Sequence, residues 1–391
     1  MLELDKSTWT RVKFGDAVRN INNYYAPDAD GDLPYVAGPH IDPSSMVVAS
    51  YGMTTDDNFP PTFKRKFQPG DVLLHSRGIE KIAVTDRVGV TGEKLFVLRA
   101  VDNEVLDQRF LPILLRSPLA SNYLDNHFTG SVNRFLNWKP LAAWEFDLPP
   151  LDEQKRIADL LWATERHAQS LIEEAIAAKG ARCELVAAHL AELPIKKRLG
   201  DLVTIRSGPS YPASNVHDSP VPGTQPVIGI TNTRPDGTMD ISRVSHVTGL
   251  PESTQTIDHS TLVLIRTNGN RSRIGNVYLP PKAAEGYAVS AFQFLLKVRD
   301  ASLRDFIFTI LNDRAMQSRM SDNASGTTGL GNLGSKWLSN QEIAWSESHS
   351  ERDAVVSAGT SARKAEDSLY GERGKLLEMR SSLSSSIFGD L

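Results

Sequence analysis

Cysteine is almost absent: among 391 residues only Cys183 occurs. No intramolecular disulfide framework can form, and a reducing compartment is the expected setting. No run approaches the roughly 18 consecutive apolar residues needed to cross a bilayer, and Met1 to Trp9 holds no apolar segment of the kind found in export signals. The expected location is therefore the cytoplasm, with no membrane partner. The nine histidines include no pair at metal-ligand spacing, and a single thiol cannot build a zinc site. There is no Gly-x-Ser-x-Gly nucleophile elbow, and Leu148-Pro149-Pro150-Leu151 lacks both the polar residue and the aromatic of an amino-methyltransferase motif. An enzyme is the weaker expectation. A global excess of basic charge is missing too, since the formal net charge is -4. Only residues 194–346 are basic on balance, with 16 Lys+Arg against 12 Asp+Glu. A nucleic-acid role would have to rest on local patches.

With 40% hydrophobic and 23% charged residues, the chain reads as globular and long enough for two or more domains. Near its middle, Leu148-Pro149-Pro150-Leu151 ends one segment, and Asp152 and Glu153 open a helix. Carboxylates in a first turn face unsatisfied N–H groups and the positive end of the helix dipole. Apolar or small residues then recur at Ile157, Leu161, Thr164, Ala168, Leu171, Ala175, Ala178 and Leu185, with a polar interruption at Arg182. This spacing predicts a helix from about Leu151 to Leu193 with a seam that needs a partner helix. A second helix is predicted from about Ser350 to Ser386, its seam running Val355, Ala358, Ala362, Ala365, Leu369, Glu372, Leu376, Met379, Leu383 and Ser386.

The chain also repeats itself once. Phe14-Gly15-Asp16-Ala17-Val18 returns as Leu199-Gly200-Asp201-Leu202-Val203, Pro34-Tyr35-Val36 as Pro226-Val227-Ile228, and Val72-Leu73-Leu74 as Leu262-Val263-Leu264. Strands are predicted over Asp71–His75 and Lys94–Arg99 in the first copy, and over Thr261–Thr267 and Ala291–Val298 in the second. Helical stretches follow at Leu111–Asn126 and Leu303–Met320. The predicted fold class is α+β: two similar domains, residues 1–148 and 194–346, each followed by a helix, residues 149–193 and 347–391. An antiparallel helix pair would place the domains at opposite ends of one rod.

Candidate binding residues cluster at matching places in the two copies. Arg266-Thr267-Asn268-Gly269-Asn270-Arg271-Ser272-Arg273 places guanidinium and amide groups around an expected tight Asn-Gly turn. Arg grips guanine bidentately and Asn does so to adenine, and the same groups hold phosphates. The first-copy counterpart is Ser76-Arg77-Gly78, with Lys64, Arg65 and Lys66 nearby. Thr129-Gly130-Ser131-Val132-Asn133-Arg134 matches the stretch from Ser325 to Lys336. Base reading is expected from Arg77, Asn133, Arg134, Asn268, Asn270, Arg271 and Arg273, and phosphate contact from Lys64, Arg65, Lys66, Lys139 and Lys336. Gly329-Leu330-Gly331-Asn332-Leu333-Gly334 spells the dinucleotide fingerprint, but a polar loop precedes it where a buried strand is required.

Leu148-Pro149-Pro150-Leu151-x-Glu153-Gln154-x-x-Ile157-Ala158-x-x-Leu161, with the order domain, helix, domain, helix, resembles the DNA specificity subunit of type I restriction-modification systems. The resemblance covers essentially the whole chain. It implies two target recognition domains held apart by an antiparallel coiled coil, each reading one half of a bipartite site in double-stranded DNA, with the helices setting the spacer. It further implies a non-catalytic subunit that binds no cofactor directly. Such a subunit docks adenine-N6 methyltransferase subunits, which use S-adenosylmethionine, and restriction subunits, which use ATP and Mg, in a bacterial or archaeal cytoplasm. Docking is expected at Pro149, Pro150, Glu153, Gln154, Ile157 and Leu161. The second junction, Glu347-Ser348-His349-Ser350-Glu351-Arg352, departs from the pattern and leaves equal docking at both junctions open. Two readings stand beside this one: a protein-interaction scaffold with a coiled-coil spacer, and a stand-alone nuclease.

Overall fold

The structure is a computed structural model and describes residues 5–130, 134–235, 237–325 and 330–389. The chain forms two compact units: one holds the described residues as far as Glu174 and those from Leu369 onward, the other Ala175–Ser368.

In the first unit, Val18–Asn20, Leu95–Ala100, Val72–His75 and Ile82–Val84 lie in that order in an antiparallel sheet. A second sheet runs Gly52–Met53, Pro34–Val36, Gly89–Thr91, Arg65–Phe67, with the middle pair parallel. Thr10–Lys13 pairs with Glu145–Leu148. In the second unit the first sheet recurs as Val203–Ser207, Gln293–Val298, Thr261–Ile265, Val277–Tyr278. The second sheet runs Val216–His217, Ser245–Thr248, Thr224–Ile228, Ala288–Val289; three strands keep the first unit's order and parallel pair, and the fourth lies at the opposite edge. Ile195–Arg198 pairs with Glu342–Trp345. Even the registers match, Leu74 facing Phe96 where Leu264 faces Phe294. The α+β fold and the internal repeat are therefore present in the topology.

Each predicted helical stretch is broken in two. Leu111–Leu115 is separated from Pro118–Asp125 because Ser117 turns extended and accepts the Ala120 N–H, and Pro118 cannot continue the preceding helix. Arg304–Leu311 is separated from Arg314–Asp322 by Asp313, which caps Ala315 in the same way. Both breaks let the second helix fold back onto the apolar core.

The two long helices are Leu151–Glu192 and His349–Phe388, within two residues of the sequence expectation at each end. Within the first unit Ile157, Ala158 and Leu161 are buried in the core together with Ile387 and Phe388, whose ring lies against Phe110 and Trp9. Within the second, Val186 is buried with Val355 and Ala358. In each unit the helix segments run antiparallel. The seam, however, differs from the apolar reading. Leu185, Ala365, Glu372, Met379 and Ser386 are exposed, and their neighbours Val186, Glu366, Arg373, Arg380 and Ile387 are the inward residues. Three of the five inward residues are charged, and the strict spacing of three and four, which admits Glu372 and Ser386, lies one position off at these turns. In the first unit Arg380 pairs with Glu165, which is 2% exposed; in the second Arg182 pairs with Glu366. No helix among the described residues is long and apolar enough to cross a membrane.

Candidate nucleic-acid interface

The two predicted loop clusters of each copy meet in space, and they meet by the same main-chain bonds. In the first unit the chain leaves the strand Val72–His75 at Ser76, whose N–H donates to the Lys94 carbonyl at 2.8 Å and whose carbonyl accepts from Leu136 N–H at 2.7 Å. In the second unit Arg266 takes the place of Ser76: its N–H donates to the Phe292 carbonyl at 3.0 Å, and its carbonyl accepts from Leu333 N–H at 2.8 Å. A bridge between Thr129 and Phe135 closes the partner loop of the first unit, and one between Ser325 and Asn332 closes that of the second. Thr267–Asn268 also pairs with Gly331–Asn332.

In the first unit, Arg77 is exposed at the tip of the turn and its N–H donates to His75 Nδ1 at 3.1 Å. Arg134 is exposed, stacks over Phe128 at 4.9 Å and donates to the Asp125 carbonyl. Lys139, in the short helix Trp138–Ala142, and Lys64 are exposed as well. Arg65 and Lys66 do not join them. Successive residues of a strand face opposite ways, and here both directions are occupied: the Arg65 guanidinium is half-buried on the Leu95 carbonyl, and Lys66 is paired with Asp30 at 2.7 Å. Asn133 lies outside the described residues. Lys94 and Lys81 were missed in the sequence, since only the fold brings them to His75.

That histidine reports the local field. Burial holds its pKa below the ordinary value, and Lys81, Lys94 and Arg77 push it further the same way against Glu80. The Arg77 N–H bond also makes Nδ1 the unprotonated nitrogen. A depressed histidine contributes stability above its unfolded pKa of about 6.5, and loses it as pH falls through the lower folded value. We therefore expect the Arg77 amide to be protected from exchange at pH 7 and above and to open as pH falls through the lowered folded value. A His75 titration midpoint at or above about 6.5 by NMR would refute this.

In the second unit the expected Asn-Gly hairpin is absent. Asn268 Oδ1 accepts from Asn270 N–H at 2.8 Å, and Asn270 Oδ1 accepts from Ser272 N–H at 3.0 Å and its hydroxyl at 2.8 Å. Two successive side-chain-to-backbone turns thus carry the chain into the turn Arg271–Arg273. They fix the amide oxygens inward and leave the amide nitrogens as donors. Arg271 is exposed; Arg273 is turned into the unit, bonded to the Thr233 carbonyl and the Tyr278 hydroxyl. It holds a neighbouring loop and is not placed to read bases. Lys336 is exposed on the short helix Ser335–Ser339, matching Lys139. Asn332, also missed in the sequence, accepts from Arg266 Nε at 3.1 Å and the Thr267 hydroxyl at 2.7 Å. It lies within the fingerprint-like stretch, which forms a two-residue strand and a cap; its first glycine, Gly329, falls outside the described residues.

The junction before the first long helix is largely consumed by its own unit. Gln154, 1% exposed, accepts from Asp107 N–H and donates to the Val105 and Pro149 carbonyls, all within 2.9 Å. Pro149, Ile157 and Leu161 are buried as well. Pro150 and part of Glu153 stay exposed, beside Asp152, Lys155 and Arg156. At the second junction Arg352 stands where Gln154 does and reaches back to the Ser346 carbonyl, stacking over Trp345. The altered motif keeps the backward tie by other atoms. Among the described residues no group of three or more His, Cys, Asp or Glu could hold a metal ion.

No protein-family model matches the sequence, and no curated protein matches it significantly. Solved structures do. The type I restriction-modification system S subunit from M. genitalium is 14% identical with a TM-score of 0.53, over 100% of this chain and 99% of that one. A chain from a structure concerning complex assembly and conformational transition of the type I R-M system is 17% identical with a TM-score of 0.54, over 98% of each. At these identities the likeness establishes a shared fold.

Proposed function

We propose that this chain is the DNA-recognition subunit of a type I restriction-modification complex, each unit reading one half of a bipartite duplex site. One observation carries the reading. Two loops are joined by the same main-chain bonds in both units; the first joined pair presents Arg77 and Arg134 to solvent beside Lys94 and Lys139, and the second presents Asn270 and Arg271 beside Lys336. The mixture suits base edges in a major groove, with flanking lysines on phosphates. The shared fold with S subunits supports the same role. Methyl transfer and cleavage are assigned to partner subunits carrying S-adenosylmethionine, ATP and Mg, which would meet this chain around Pro150 and Glu153.

Arg271→Ala tests the reading in the second unit. It is expected to weaken binding to the selected duplex by about 1 to 3 kcal/mol and to relax one base position. Unchanged base preference in a binding selection would remove Arg271 from the reading surface.

A further inference from the structure

The loop of the second unit has an apolar border that a phosphate-gripping surface does not need. Phe292 is 49% exposed and Leu330 is 53% exposed, the two most exposed large apolar side chains described in this unit outside the long helices. Their places in the chain are set by the paired strands. The Phe292 carbonyl accepts from both Arg266 and Thr267 N–H, at 3.0 and 3.2 Å. Leu330 precedes Gly331, which pairs with Asn268. Both therefore flank Thr267–Asn268, next to the amide and guanidinium donors. At the matching position of the first unit stands an exposed lysine, Lys94, held by the same carbonyl bond to Ser76.

We infer that Phe292, across Thr267–Asn268 from Leu330, is a specificity-determining residue that contacts the C5-methyl group of a thymine in the half-site read by the second unit. This rests on the DNA-binding reading above. In the major groove thymine alone offers a methyl group, set beside its O4 acceptor, and its adenine partner offers N6 and N7. An apolar ring next to Asn and Arg donors complements that combination. The minor groove has no such group, so the inference also commits this loop to the major groove. Lys94 has no counterpart ring, so no methyl contact is assigned to that position of the first unit.

The experiment uses the full chain and a duplex selected from random sequence. Thymines of the selected site are replaced one at a time by deoxyuridine, which removes the methyl group and keeps the base-pairing edge. One replacement is expected to weaken binding about fourfold, the worth of one buried methyl group. Phe292→Ala should bind the thymine and uracil duplexes alike, at the wild-type strength for uracil, which also shows that the variant is folded. A selected site whose thymines can all be replaced without loss, or that contains none, would overturn this inference alone. So would discrimination that persists in Phe292→Ala. Selection of no duplex at all would overturn the DNA-binding reading together with it.

Discussion

Glu165→Ala is expected to destabilise the first unit by about 3 to 5 kcal/mol, the cost of removing one partner of a buried ion pair and leaving the other charge uncompensated. The carboxylate is 2% exposed and saturated. One oxygen accepts from Ser45 Oγ, Met46 N–H and Gln169 Nε2, and the other from Arg380. It also faces Arg116, whose pKa is pushed down to about 10, first by burial and then by Arg380, with Glu165 opposing. Its removal leaves the Arg116 and Arg380 guanidinium groups, with Arg373 beside Arg380, in one largely buried space where Asp42 is the carboxylate that still acts on both. Urea unfolding of the variant, beside Arg380→Met and the double substitution, measures the coupling. The double variant should recover a large part of the loss, because a desolvated pair is replaced as a pair. A loss below about 1 kcal/mol for Glu165→Ala would mean that the seam is hydrated and the pair adds little.

DNA binding by the full chain should weaken steeply with salt. Arg77, Lys94, Arg134 and Lys139 in the first unit and Arg271 and Lys336 in the second are exposed on the paired loops or on the segments bonded to them. If all of them meet phosphates, counterion release predicts a fall in affinity of about 10³-fold between 50 and 200 mM salt. The overall charge of -4 supplies no general attraction to a polyanion, so the slope belongs to these patches. Substituting Lys139 or Lys336 should reduce the slope by about one each and leave base preference unchanged. A fall of less than tenfold over that range would show that the basic groups do not carry the contact.

Much of the scaffold was legible in the sequence because its signals are local. Proline followed by carboxylates marks the start of the first long helix, and β-branched runs mark the strands. The repeat was visible because both copies need the same apolar residues at the same sheet positions, Val72–Leu74 and Leu262–Leu264. The seam was misread where it is polar: Glu165, Arg182, Glu366 and Arg380 are held inward by partners far away in sequence, and hydrophobic spacing cannot report an ion pair. For the site, composition located the loops and left their side chains unsorted. Arg273 and Lys66 have the right chemistry and spend it inside their own units, on Thr233 and Tyr278 and on Asp30. Lys94 opens a predicted strand, and Asn332 lies inside a cluster already singled out, but only the folded strands bring them to Ser76 and Arg266.

The bonds that the two units share at these loops are main-chain bonds, so they do not depend on which side chain occupies a slot. Ser76 and Arg266 fill one slot, Lys94 and Phe292 another, Phe135 and Asn332 a third, under the same N–H and carbonyl geometry. A platform of this kind separates what is presented from what holds it up. Single substitutions at its tips can change the chemistry offered to a partner at small cost to folding. Two copies within one polypeptide can therefore diverge in preference, residue by residue, while inheriting one architecture.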